Sequence, residues 1–419
     1  MVNTPQIYFH KAIVFNCGYN GLSIMQELAF HGVTCIAMDC RRSVGTFSRY
    51  ARFVKCPDPS TNETGFIRFL YQFCQSEKAK PVLFPTNDNW AMAISKKKGL
   101  LKEVAIPCVG NWEVVSLFLD KKKFGDIGEV ENWLTPRTWS AQKGIEIPEE
   151  YFPIVAKPIS RRFSSDDTGN HALSKTLDRL RLRVLRSRND LEEYLGKEEE
   201  FLGNILLQEF IMGNSGNMHT VGVYASEDQE ILGVFSGKKL RGYPAQEGDC
   251  IAGTNCRVPE YVLENTFRIV QTRGYSGIAE FEYMQDAETG KFKLIEINPR
   301  SWSWIGITPA CGVSLPWIAF KDLSGKAVNK HTSFDVEEGS VLYAKILQDW
   351  WNCLFEYKRD YPAWAKSKKE WEEEISSYKI RIYAEFNARD WPVSARAIAD
   401  FILMIFRRFL KRIIRPGKG

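Results

Sequence analysis

The stretch GKFKLIEINPRSWSW, residues 290–304, decides how the rest of the chain is read. Between a Gly turn and a Pro, LIEIN alternates as a strand does, and side chains at i, i+2 and i+4 of a strand share one face. Glu296, Asn298 and Arg300 are therefore expected to line one surface. A carboxylate and an amide oxygen are hard ligands suited to Mg²⁺, whereas a guanidinium grips phosphate or carboxylate as a planar fork. Taken alone, E-x-N-x-R also fits a solvated sheet face with ordinary polar residues.

Upstream, RVLRSRNDLEEYL and NILLQEFIMGN read as strand, helix, strand. HTVGVYA, EILGVFSGKKLRGYP, YSGIAEFEYM and FKLIEIN add four more strands, most of them alternating, so the middle of the chain is antiparallel-rich α+β. FPIVAKP is a strand carrying Lys157, and the Ser-, Asp- and Gly-rich ISRRFSSDDTGNH after it has no periodicity and reads as a mobile loop. Near the N-terminus, KAIVFNC, GLSIMQELAFHG and VTCIAMD give strand, helix, strand, with PVLFPTND and AIPCVG as later strands. Residues 1–115 thus form a small parallel α/β domain. Its CGYNG turn is not GxGxxG, which favours a Rossmann-like structural layer over a dinucleotide site. No internal repeat is present, and residues 340–394 mix helix and strand without a chemical signature.

Length and composition bound the reading. A chain of 419 residues with 44% hydrophobic and 26% charged side chains suggests two or three globular domains. The five histidines, at 10, 31, 171, 219 and 331, form no metal-ligand spacing, and the ten cysteines contain no CxxC pair. A reducing cytoplasm is the expected compartment, with no signal peptide and no apolar run long enough to span a bilayer. The net charge of +5 is local: seven basic residues and one acid lie between Ala395 and Gly419. A protein-wide nucleic-acid surface is not expected.

Taken in order, DK…LTPRT, FPIVAKP, LLQEFIMG, GKKLRGYP, GIAEFEYM, LIEINPR and GVSLP resemble the ATP-grasp superfamily, near its carbamoyl-phosphate-synthase-like carboxylate–amine ligases, from about residue 10 to 325. The resemblance implies an α/β plus α+β architecture. A Rossmann-like domain (1–115) would precede a two-subdomain ATP-grasp fold (116–330, with its lid at about 150–212), followed by an α+β extension (331–394) and a basic amphipathic helix (395–419). It implies ATP with one or two Mg²⁺ ions, or Mn²⁺ in their place. Lys121 and Lys157 would meet the phosphates while residues 160–172 close above them. The backbone of Phe210 and Ile211 would meet the adenine edge, with Gln208 and Glu209 beside it. For the ribose, GNSGNMH offers only amides and hydroxyls. Glu282, preferred to Glu280, would complete a metal site with Glu296 and Asn298, and Arg300 would face the transferred phosphoryl group. Lys239 and Arg241 would steady an acyl phosphate, and Trp302, Trp304, Pro309 and Cys311 would shape the acceptor side.

The implied reaction has two steps: a carboxylate takes the γ-phosphoryl group of ATP, and an amine then displaces phosphate to form an amide. Phosphoryl transfer needs positioned charge rather than a covalent nucleophile. One rival is a bicarbonate-activating, carbamoyl- or carboxy-phosphate-forming enzyme, against which stand a single ATP-grasp unit and no glutaminase-like segment. Another is a nucleotide-binding regulatory protein with a degenerate site. The substrates would be small-molecule or lipid-linked, and the oligomeric state is not legible. The final stretch places Ile398, Phe401, Ile402, Ile405, Phe406, Phe409, Ile413 and Ile414 at helical spacing, with Arg407, Arg408, Lys411, Arg412 and Arg415 on the other side. Such a helix either lies on an anionic membrane at the inner face or packs on the protein's own core.

Overall fold

Short, wholly apolar segments can pair in parallel only where helices cover both sheet faces, and the first two strands, Ala12–Phe15 and Cys35–Asp39, are buried at every position. With Ala51–Lys55, Val82–Phe84 and Ile106–Pro107 they form a five-stranded parallel sheet in the order third, second, first, fourth, fifth. Ala51–Lys55, unanticipated from sequence, lies at the edge and carries Arg52 and Lys55. The strand order reverses between the first and fourth strands, and the segments leaving them meet there, Asn20 Nδ2, in the first turn of the helix Tyr19–Phe30, donating to the Thr86 carbonyl at 2.8 Å. Asp39 accepts from the Cys17 N–H at 2.8 Å and from Ser43 Oγ at 2.9 Å. The amide at the first turn is thus taken by a side chain of the same domain, as a structural layer requires.

A computed structural model describes residues 10–158, 182–245 and 248–414. The loop expected at 160–172 lies outside the described residues.

A second sheet of four antiparallel strands runs Thr138–Ser140, Ile205–Glu209, Ile154–Pro158, Arg183–Leu185. Thr138–Ser140 belongs to it, so this body begins before the residue 150 expected for the lid. The largest sheet runs Phe292–Asn298, Gly277–Gln285, Met218–Ala225, Ile231–Tyr243, Asp249–Asn255, Val341–Ala344, Ile380–Tyr383, with His331–Thr332 pairing onto Ile231–Tyr243. Within the 331–394 extension, Val341–Ala344, buried throughout, pairs with Asp249–Asn255 and continues the central sheet.

The expected acceptor-side role of Trp302 and Trp304 is also corrected. Both are buried and pack on Phe235, with ring centroids 6.0 and 5.6 Å away. Glycines make room for them: a Cβ at Gly222 would stand 2.2 Å from the Trp302 ring, and one at Gly253 2.9 Å from Trp304. Cys311 is buried in the same core.

The last helix, Trp391–Ile414, is tied to the N-terminal domain at its start. Asp390 accepts from Ser48 Oγ (2.6 Å), Arg49 N–H (2.9 Å) and Gln26 Nε2 (2.9 Å), while Val393 and Ala397 pack on Leu22 and Val44. Among the described residues no helix is long and apolar enough to cross a membrane.

Candidate functional site

The site grows from the pairing of Gly277–Gln285 with Phe292–Asn298. Glu282 stands opposite Glu296 and Glu280 opposite Asn298, so all four side chains share one face. A register irregularity after Glu282 leaves Ile295 unmatched; Leu294 can then enter the core with Ile297 while Glu296 turns the other way. Plain alternation would have put Leu294 and Glu296 together. The bulge is what lets an apolar run present a carboxylate.

Glu280, passed over in the sequence reading, is the most enclosed of the group. It accepts from Thr220 Oγ1 at 2.9 Å and from Asn298 Nδ2 at 3.0 Å. Burial, and then the charge of Glu282, push its carboxyl well above the ordinary range, against the pull of Lys239 and Arg300. Lys239 donates to Glu282 Oε1 at 2.9 Å. Burial disfavours its ammonium, but Glu282 and Glu280 outweigh that and hold its pKa above the usual lysine value.

Arg300 lies two residues past the strand end, in a turn closed by its own N–H on the Asn298 carbonyl at 2.7 Å. Its Nη2 donates to Asn298 Oδ1 and its Nη1 to the Ser301 carbonyl, both at 2.9 Å, while Nε pairs with Asp88. Asp88 opens a helix of the parallel α/β domain, Asp88–Lys96, capped by Asn87. The sequence reading missed Asp88; its signal was a polar Thr-Asn-Asp run at the C-terminal end of a buried parallel strand, where ligands collect in open α/β sheets.

Lys157, on the small sheet, donates to Gln208 Oε1 at 2.7 Å, and Gln208 Nε2 donates to Thr138 Oγ1 at 3.0 Å. Burial and the nearby Lys121 ammonium lower the Lys157 pKa to about 7, with Glu296 opposing them. Lys121 is the first residue of the helix Lys121–Val130, whose N-terminus Asp120 caps at 3.1 Å. A cation pair, Glu296 and the opposing sheet therefore share one electrostatic environment.

The small sheet joins the large one through residues 210–217. Ladder pairing ends at Glu209, whose carboxylate accepts from the Arg137 N–H (3.0 Å) and Lys293 Nζ (3.3 Å). Met212 is fixed next, its N–H donating to Asp286 Oδ2 at 3.1 Å. Phe210 and Ile211 lie between these two anchorages.

Arg241 is a correction. Lys239 pairs with Gly253 and Arg241 with Ala252, so a bulge at Leu240 turns the two basic side chains to opposite faces. Arg241 is buried away from the acidic group. It forks onto Asp349 at 2.7 and 2.9 Å and reaches Glu374 at 2.7 Å.

The architecture matches solved structures at low sequence identity. N5-carboxyaminoimidazole synthetase of Staphylococcus aureus superposes with a TM-score of 0.57 at 13% identity, over 79% of this chain and 81% of that one. The biotin carboxylase domain of Hydrogenobacter thermophilus 2-oxoglutarate carboxylase, solved with MgADP and bicarbonate, gives 0.56 at 14% identity, over 79% and 73%. The fold is ATP-grasp. By sequence, the chain is 23% identical over 256 residues to a D-aspartate ligase of Enterococcus faecium, covering 58% of each protein. It therefore spans less than two-thirds of the length of that curated relative. No family model matches the chain.

On this ATP-grasp frame, Glu282, Glu296, Asn298, Arg300 and Lys239 converge, and Lys157, Gln208 and Lys121 gather on the facing side. Among the described residues no three His, Cys, Asp or Glu side chains form a self-sufficient metal cluster.

Proposed function

We propose that this chain is an ADP-forming ligase that activates a carboxylate as an acyl phosphate and passes it to an amine. The observation that carries the reading is Arg300, held by Asn298 on the acidic face and by Asp88 of the parallel domain. A guanidinium fixed from both sides can meet a γ-phosphoryl group and its incoming carboxylate together. Lys157 and Lys121 neutralise the phosphates, and Phe210 and Ile211 offer backbone groups to the adenine. Lys239, already against Glu282, supports the acyl phosphate in Arg241's absence.

The donor set fits Mg²⁺. Glu282 and Glu296 face each other, and Asn298 Oδ1, engaged once by Arg300, keeps a lone pair. Two carboxylates and an amide leave the remaining positions to phosphate and water, as Mg²⁺ prefers. When bound, the ion supplies charge neutralisation of the β- and γ-phosphates.

The substrate carboxylate approaches from the domain junction. There Asn20 Nδ2 donates to the Ser301 carbonyl at 3.0 Å, while Asn20 Oδ1 and Ser301 Oγ have no hydrogen-bond partner. These polar atoms suit an amino-acid substrate, and the D-aspartate ligase relative supports that class. The biotin carboxylase domain with bound bicarbonate favours a second reading, in which bicarbonate is the activated acid.

ADP release with ATP, Mg²⁺ and pairs of amino acids, D-aspartate included, decides between them. Release that needs both acid and amine, with a product of amide mass, supports the ligase. Dependence on bicarbonate supports the second reading, and release with neither overturns both.

A further inference from the structure

The C-terminal helix packs on the protein by one side and leaves an apolar stripe on the other. Val393 and Ala397 face the parallel domain, Phe401 meets Trp351 edge-on at 6.4 Å, and Arg408 turns inward to Glu356 at 3.2 Å. Away from this contact, Trp391 is 66% exposed, Ile398 41%, Ile402 59% and Phe406 57%. At 100° per residue these four span roughly 80° of the helix, centred well away from the packed side. Among the described residues, six of the fourteen exposed large apolar side chains fall between Phe386 and Phe406. Such a concentration is not the scatter of ordinary surface residues.

Charge selects the occupant. Arg407 is exposed beside the stripe, and Lys411, Arg412, Arg415 and Lys418 follow, while the rest of the chain is close to neutral. We infer that this helix docks the protein on an anionic lipid surface, with Ile398, Ile402, Leu403 and Phe406 in the acyl boundary and Arg407 among the headgroups. The catalytic face lies elsewhere, so the inference stands independently of the ligase reading.

Co-sedimentation of the full chain with phosphatidylglycerol/phosphatidylcholine vesicles, against phosphatidylcholine alone, tests it. Binding should be confined to the anionic vesicles and weaken as salt rises from about 0.1 to about 0.5 M. The pair Ile402→Glu and Phe406→Glu should lower partitioning about tenfold or more, with the thermal melt unchanged. Should that pair disturb the melt, Arg407→Glu, an exposed charge reversal, must still weaken anionic binding. Equal partitioning onto both vesicle types, no binding, or double-variant binding equal to the parent overturns the inference. So does a lipid-free, concentration-dependent dimer that the double change dissolves, since the stripe would then be covered by a second copy.

Discussion

Lys239 and Arg241 belong to one strand, yet the charges they meet are organised differently. Around Arg241 the opposite charges are paired. Asp349 takes both arms of the guanidinium and a hydrogen bond from Trp371 Nε1 at 2.9 Å, and Glu374 pairs with Arg241 and with Lys366 at 3.1 Å. Around Lys239, three carboxylates crowd one sheet face. Glu280 is pushed toward its neutral form, and Lys157 on the small sheet is pulled down to about 7 by burial and its neighbour Lys121. A closed set of charges fastens the fold. An open, strained one is poised to gain from a ligand that brings the missing charge.

The largest effect is expected on the closed side. Asp349→Ala leaves Arg241 buried without its fork and should cost about 3–5 kcal/mol of stability, read by denaturant unfolding. A loss under about 1 kcal/mol would mean that the Arg241 cluster is not the fastening it looks to be. On the open side, Glu296→Gln should leave unfolding nearly unchanged while ADP formation falls about 10²–10³-fold. Near-normal turnover would remove Glu296 from the metal set.

Asp88→Asn comes next. It keeps the size of the group that orients Arg300 but removes its charge, and kcat should drop roughly 10- to 30-fold with the ATP KM little changed. An equal change in both, or a lowered melt, would make Asp88 a structural strut. The smallest effect concerns pH. Lys157, with its pKa near 7, is charged below that pH and neutral above it. A phosphate ligand prefers the charged form, so ATP affinity should fall about tenfold between roughly pH 6 and pH 8, with proton uptake on binding at the higher pH. Calorimetry in two buffers of different ionisation enthalpy reads that proton, and Lys157→Met should abolish it. A flat profile in the parent protein would place Lys157 outside the phosphate site.

What was legible from residue order and what was not divides along physical lines. The parallel domain was readable because four of its five strands are largely apolar on both faces, and the shared face of Glu282, Glu296 and Asn298 because neighbouring strands carry them in register. Arg241 was misplaced because a one-residue bulge at Leu240 turns it to the face opposite Lys239, and nothing in GKKLRGY announces a bulge. Asp88 went unseen because it lies 212 residues before its partner Arg300 and acts across a domain junction. Trp302 and Trp304 were assigned to a site because their hosts, Gly222, Gly237 and Gly253, leave space only in three dimensions.

The most direct test of an acyl phosphate formed at Arg300 follows oxygen rather than rate. A substrate acid labelled with ¹⁸O in its carboxylate, turned over with ATP, Mg²⁺ and the amine, should deliver one labelled oxygen to the inorganic phosphate released, because the amine breaks the acyl C–O bond. Phosphate free of label, with ADP still formed, would contradict the account.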